Sequence, residues 1–172
     1  MSGAPAPPDA FRRAAARWVT GVAVVTAREG ARDHGLTVNS LTSVSLDPPL
    51  LLVSLMVEAD TTPVVQRTRS FGASVLSASQ RAISERFARK EHPETKFEGL
   101  PMERGASGVA LVPGAVATFE CVVEHEYPEA DHLLFVGRVR SAKMGEDAPP
   151  LVFHRSHYAE ADGEGRISLT TG

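Results

Sequence analysis

The chain is poor in several things that common functions require. It has one cysteine, Cys121, among 172 residues, which excludes an intramolecular disulfide and every multi-cysteine zinc or iron–sulfur site. It lacks a long apolar run. The longest, Leu50 to Val57, is eight residues even with Ser54 counted in, against the ~18–20 needed to span a bilayer. It lacks an excess of positive charge: 18 Lys and Arg against 21 Asp and Glu leave −3, with a pI near 6.1. Nothing therefore draws the whole chain to nucleic acid or anionic lipid, and neither is expected as a partner. The opening MSGAPAPPDA has no basic start and no apolar centre. It is no secretory signal and reads as a disordered lead-in over residues 1–9. The GxGxxG and GxxxxGK phosphate loops, HExxH and the GxSxG elbow are all missing, and GASG at Gly105–Gly108 lacks an elbow's spacing.

What is present suits a folded protein. Apolar residues make up 42% and charged residues 23%, and residues 10–172 are read as one domain with no need of a metal or disulfide to fold. Of six histidines, His154 and His157 are three apart, but they fall at a strand end rather than on a helix, so no metal site is expected. Cys121 lies in the apolar run AVATFECVV between Glu120 and Glu124. Acidic neighbours raise a thiol's pKa, so it reads as a packing residue. A single reduced cysteine suits the cytoplasm, the expected location.

Patterning predicts a mainly β chain. Asp9 is a plausible cap for a helix whose Phe11, Ala14, Ala15 and Trp18 share a face. Val19–Ala27, Leu36–Ser40, Leu50–Val57, Phe71–Leu76, Ala115–His125, His132–Ser141, Leu151–His154 and Arg166–Thr170 read as strands. Thr62 followed by Pro63 marks a helix start, and Ser77 with Gln80 a capping box for a helix through about Ala88. The polar stretch Arg89–Gly108 reads as a long excursion. Turns rather than helices separate most strands, which predicts an antiparallel, closed sheet.

The segment Gly35–Leu50, GLTVNSLTSVSLDPPL, is the informative one. Six of the nine residues from Thr37 to Ser45 carry hydroxyl or amide side chains, between two apolar strands where a plain turn needs only two to four residues. Small hydroxyl residues let a ligand approach the backbone and can bond carbonyl or phosphate oxygens. A Ser/Thr-rich surface loop is the competing reading.

This segment resembles the signature of the short-chain flavin reductases, written G-M-T-x-N-S-F-T-S-V-S-x-x-P-P-L, with Leu36 and Leu41 as conservative changes. Three further stretches fall in the same order: TGVAVVTA at Thr20–Ala27, SERFARKEHPETKFEGLP at Ser84–Pro101, and DHLLFVGRVR with PLVFHRSHY between Asp131 and Tyr158. The resemblance covers roughly Phe11 to Tyr158. It implies an FMN-binding split barrel, a Greek-key antiparallel barrel with a few short helices that works as a homodimer. It also implies an NAD(P)H:flavin oxidoreductase, with NADH or NADPH as co-substrate, FMN favoured over FAD, and reduced flavin supplied to a partner monooxygenase. The alternatives are a non-catalytic flavin carrier and a flavin oxidase of the pyridoxamine-phosphate-oxidase kind.

The resemblance also implies roles. Thr37, Val38, Asn39 and Ser40 form the strand edge that contacts the flavin ring and ribityl chain. Thr42, Ser43, Val44 and Ser45 form the loop whose N–H groups meet the ring edge that gains negative charge on reduction. Ser54 and the Glu58–Thr62 turn, with Thr61 and Thr62 at its end, offer a phosphate site at a helix start. Arg86, Phe87 and Arg89 close over phosphate or adenosine, a solvated helix face being the competing reading for both arginines. His132, His154, Arg155 and Tyr158 line the nicotinamide side, where Tyr158 or Phe153 stacks on a ring. His132 is the candidate catalytic residue, acting by orientation; its competing reading is a turn histidine bonded to Asp131 or Glu129.

Overall fold

The computed structural model describes residues 5–90, 92–161 and 167–169. A helix α1 (Pro8–Ala15) leads into strands β1 (Thr20–Gly21), β2 (Ala23–Glu29), β3 (Arg32–Val38), β4 (Thr42–Leu46) and β5 (Pro49–Met56). Helix α2 (Thr61–Thr68) and β6 (Ser70–Val75) follow, then α3 (Arg81–Ala88), α4 (Pro93–Phe97) and the short β7 (Glu103–Arg104) and β8 (Ala110–Leu111). A long hairpin of β9 (Ala117–Glu129) and β10 (His132–Met144) precedes β11 (Leu151–His154), β12 (His157–Ala161) and β13 (Ile167–Leu169). Every strand pairing is antiparallel. The expected mainly β, antiparallel architecture is what forms. Among the described residues no helix is long and apolar enough to cross a membrane.

The larger sheet runs β3-β2-β6-β9-β10-β5-β4 and the smaller β1-β11-β12-β13, while β7 pairs only with β8. The two edges of the larger sheet, β3 and β4, are thus consecutive in the chain, and residues 39–41 carry the chain from one edge to the other. On β5, Leu51, Val53 and Leu55 are buried while the residues between them are half-exposed, the period-two signature of a strand with one face on the core. They pack with Val25, Val65, Phe71 and Phe135. A second cluster, with Val22, Leu76, Phe87 and Leu151, fills the space under α3.

Several boundaries differ from the sequence reading. The expected strand Val19–Ala27 breaks at Val22 because Thr20 and Gly21 pair with β11 whereas Ala23–Thr26 pair with β6. Helix α1 opens with Pro8, inside the expected lead-in, and Asp9 lies in its first turn rather than at its cap. Trp18 falls beyond it, and no α1 residue is buried. Helix α2 starts at Thr61 rather than after Thr62. The polar stretch holds α4 and β7. Arg166 and Thr170, at the ends of the last expected strand, lie outside the described residues, as do Met1–Ala4 of the lead-in.

Candidate functional site

The hydroxyl-rich segment is less a loop than two strand ends and a crossing. Thr37 and Val38 end β3, only Asn39, Ser40 and Leu41 lie outside strands, and Thr42–Ser45 belong to β4. Opposite β5 the register slips between Ser43 and Ser45, so Val44 is the extra residue of a bulge. Thr42, Ser43 and Val44 are exposed and Ser45 half-buried, whereas Val38 is only 8% exposed, its side chain in the core. Any ligand contact by Val38 therefore comes from its main chain.

This crossing separates two clefts. The first, about 540 Å³, is lined by Trp18, Thr20 and Gly21 on one side and by Asn39, Leu41 and Thr42 on the other. The edge strand β1 of the smaller sheet here faces the edge strand β4 of the larger. The second, about 780 Å³, is lined by His34–Thr37, by Met56 and the turn to Thr61, and by Phe87–Lys90 with Lys96. It brings together Thr37, Thr61, Phe87 and Arg89 among the expected flavin residues. Its wall also carries Arg67, Lys90 and Lys96 against Glu58 and Asp60, a cationic excess that suits an anionic ligand.

The walls of the second cleft are built by packing. Phe87, 1% exposed, meets Phe97 edge-on at 5.0 Å. A Cβ on Gly35 would fall 2.8 Å from Phe87 Cε1 and 3.0 Å from Phe97 Cζ, so the glycine makes this approach possible. Lys96 is buried and its ammonium donates to the carbonyls of Gly35 and Phe87 at 3.4 and 3.3 Å. Thr37 Oγ1 donates to the Ser84 carbonyl at 2.6 Å, and Ser84 Oγ is 2.9 Å from the Tyr158 hydroxyl.

The helix-start phosphate site is weaker than the sequence suggests. The Thr62 N–H is already bonded to Ala59 O at 2.9 Å and Pro63 has none, while Thr62 Oγ1 donates to Met56 O at 2.6 Å. Asp60 occupies the cap position, which opposes an anion. Arg86 is also committed elsewhere, its guanidinium donating to Thr95 O at 2.7 Å and to Glu98 O. Arg67 is paired with Glu29 at 2.6 and 2.8 Å, and Arg89, Lys90 and Lys96 make up the rest of the basic wall. Lys96 gave no local signal in the sequence, because α4 reaches the cleft only through tertiary packing.

The residues expected on the nicotinamide side are more dispersed. His132 opens β10 opposite Met56, and its Nδ1 lies 2.7 Å from Asp131 Oδ1. It lines neither cleft. His154 ends β11, and the turn to β12 is made by Arg155 and Ser156, both at positive φ (51° and 64°). The Arg155 N–H donates to Ala16 O at 2.7 Å, pinning this turn to the end of α1. Tyr158 is half-buried, 5.6 Å from Phe153 and with the Arg81 guanidinium 5.3 Å over its ring. Cys121 is a packing residue as expected, burial and Glu120 pushing its thiol up to about 12.

The chain as a whole is similar to known proteins. Residues 15–162 match the flavin reductase like domain. The chain is 43% identical over 151 residues to the NADH-dependent FMN reductase AsuE2 of Streptomyces nodosus subsp. asukaensis, covering 86% of this chain and 82% of that one. It is 37% identical to the reductase component of 4-hydroxyphenylacetate 3-monooxygenase from Thermus thermophilus, covering 87% and 94%. Among solved structures, BorF, the flavin reductase component of a bacterial two-component tryptophan halogenase, superposes with a TM-score of 0.83 at 34% identity, covering 96% and 100%. The chain belongs to the flavin reductase family, and its fold is the split barrel of that family.

The residues present fit a flavin. Small hydroxyl and amide residues line the first cleft, a basic wall lines the second, and one shielded polar atom without a hydrogen-bond partner among the described residues belongs to each: Thr20 Oγ1 and His34 Nδ1.

Proposed function

We infer that the chain is an NADH-dependent flavin reductase that passes reduced flavin to a separate monooxygenase. The observation that supports this most directly is that the segment carrying the family signature forms the partition between the two clefts. Bound flavin supplies the hydride acceptor; the protein supplies position. Asn39 and Thr42 with the neighbouring main chain hold the ring, Ser40 fixes the crossing, and Thr37 with Arg89, Lys90 and Lys96 holds the phosphate-bearing chain. Main-chain donors fixed on β4 favour the charge that reduction brings, at little reorganisation cost. His132, paired opposite Met56 of the second cleft's wall, orients the nicotinamide, while His154, Arg155 and Tyr158 stand apart from it on the smaller sheet.

The working unit in this reading is a homodimer in the cytoplasm, with residues 10–172 as one domain. FMN is the favoured flavin, FAD the second. NADH oxidation followed at 340 nm, with and without FMN or FAD, tests the activity. Turnover that requires added or bound flavin is the expected result. Flavin binding without NADH consumption would leave a carrier on the same barrel.

A further inference from the structure

Thr20 has a polar atom that the fold does not satisfy. Its Oγ1 is shielded from solvent, with no hydrogen-bond partner among the described residues. Buried hydroxyls are normally paired, and one left without a partner destabilises the folded state. The residue lies on β1, the edge strand of the smaller sheet, and lines the first cleft across from Asn39 and Thr42. Beside it, a Cβ built on Gly21 would meet nothing within 4 Å, so the strand is open on that side. His34 Nδ1, the other shielded atom in this state among the described side chains, belongs to a residue lining the other cleft. Both orphan atoms thus fall in residues that line the two clefts.

We propose that Thr20 is a ring-binding residue, whose hydroxyl pairs with a polar edge atom of the flavin ring held between β1 and β4. The proposal rests on the flavin reductase reading and adds a second wall to it. The signature segment approaches the ring from the Asn39–Thr42 side, and Thr20 approaches from the smaller sheet. The cleft's chemistry suits a flat, uncharged heterocycle: apolar Trp18 and Leu41, a bare glycine, and three short polar side chains. Staggered alternatives about χ1 let the hydroxyl turn toward such a ring without backbone movement.

The test uses Thr20→Val, which keeps the shape and removes the hydroxyl, and Thr20→Ser, which keeps the hydroxyl. Dissociation constants for riboflavin and for FMN are measured by quenching of flavin fluorescence, and unliganded thermal midpoints alongside. Thr20→Val should weaken both flavins equally, by about three- to tenfold, the range of one hydrogen bond between uncharged groups. Its midpoint should be no lower than wild type, because an unpaired hydroxyl has gone. Thr20→Ser should bind within about twofold of wild type. Riboflavin and FMN bound as tightly by Thr20→Val as by wild type would overturn the proposal. So would weakening of FMN alone, which points to the phosphate end, or an equal loss in Thr20→Ser. If Thr20→Val does not fold, Thr20→Ala against Thr20→Ser gives the same comparison. Should wild type neither bind a flavin nor oxidise NADH with one, the reductase reading fails and this proposal with it. A working wild type matched by Thr20→Val removes only Thr20.

Discussion

Ser40 and Ser54 are bonded in both directions: Ser40 Oγ donates to the Ser54 carbonyl at 2.7 Å and accepts the Ser54 N–H at 3.3 Å. One side chain thereby substitutes for a strand partner between the crossing and β5, at the seam where the larger sheet passes from β3 to β4. With its hydroxyl donating and accepting in this bridge, Ser40 is proposed to serve the flavin site by positioning the crossing.

Ser40→Ala should therefore cost stability and flavin affinity together. It leaves a half-buried N–H and carbonyl without their partner, at about 1–3 kcal/mol. Ser54→Ala should cost little, since the bridge uses only Ser54's main chain. Chemical denaturation and flavin titration of the two variants check this; equal losses in both would contradict the asymmetry.

Glu120 gives a pH dependence. It is 4% exposed on β9 and accepts hydrogen bonds from the N–H groups of Ala106 and Ser107 (3.0 and 2.8 Å) and from Ser107 Oγ (2.5 Å). Burial pushes its carboxyl up, but these bonds and the charge of Lys143 outweigh burial and hold it below the usual carboxylate range. The folded state thus prefers the ionised form. That contribution is complete above the unfolded value of about 4.3 and fades as pH falls through the lower folded value. Glu120→Gln turns an NH₂ toward a cradle of N–H donors and should be destabilising at pH 7. The gap between wild type and variant should shrink below about pH 4, and thermal melts across that range measure it. A gap constant with pH would mean the carboxylate is not what holds residues 106–107.

The sequence showed the elements whose pattern is local, and it blurred those fixed by partners far along the chain. The alternating burial of β5 and the β-branched run of β2 were legible because one face of each strand meets the core. The break at Val22 was not, since VTGVAVVTA reads as one strand and only the choice between β11 and β6 divides it. The strand expected over Ala115–His125 stops short of β9, which runs to Glu129 because Pro128 still sits opposite Leu133. Asn39, Thr42 and Thr37 were found at the clefts from the signature motif, and Arg89 from the resembling stretch Ser84–Pro101. Lys96 and Thr20 were not found as site residues: one arrives on α4, and the other matters through a hydroxyl whose missing partner no sequence displays.

His132 is held at the start of β10 by Asp131, whose carboxyl lies below its usual value chiefly through the hydrogen bond to His132. In the proposed role, His132→Ala raises the KM for NADH by about three- to tenfold, as one lost positioning hydrogen bond, and leaves the flavin dissociation constant unchanged. Stopped-flow reduction at saturating NADH measures the chemical step separately. A wild-type KM with a lower melting temperature would make the pair a strand-start clasp and nothing more.

The exposed apolar groups argue for a second copy of the chain. Helix α1 buries no residue of its own, although it carries Phe11 and delivers Trp18, which is 77% exposed at the rim of the first cleft. On β4, an edge strand, Val44 and Leu46 are 50% and 89% exposed. Large apolar side chains left in water on two elements of one cleft fit an interface, and stable obligate interfaces bury upwards of ~2,000 Å² in total. Light scattering at micromolar concentration should give twice the 18.3 kDa chain mass. Trp18→Glu puts a charge into that face and should shift the protein toward monomer. Because Trp18 also lines the first cleft, flavin affinity should fall with dimer content and recover at high protein concentration if the interface is what the ring site needs. An 18.3 kDa species that binds flavin at full strength would place the ring site within one chain.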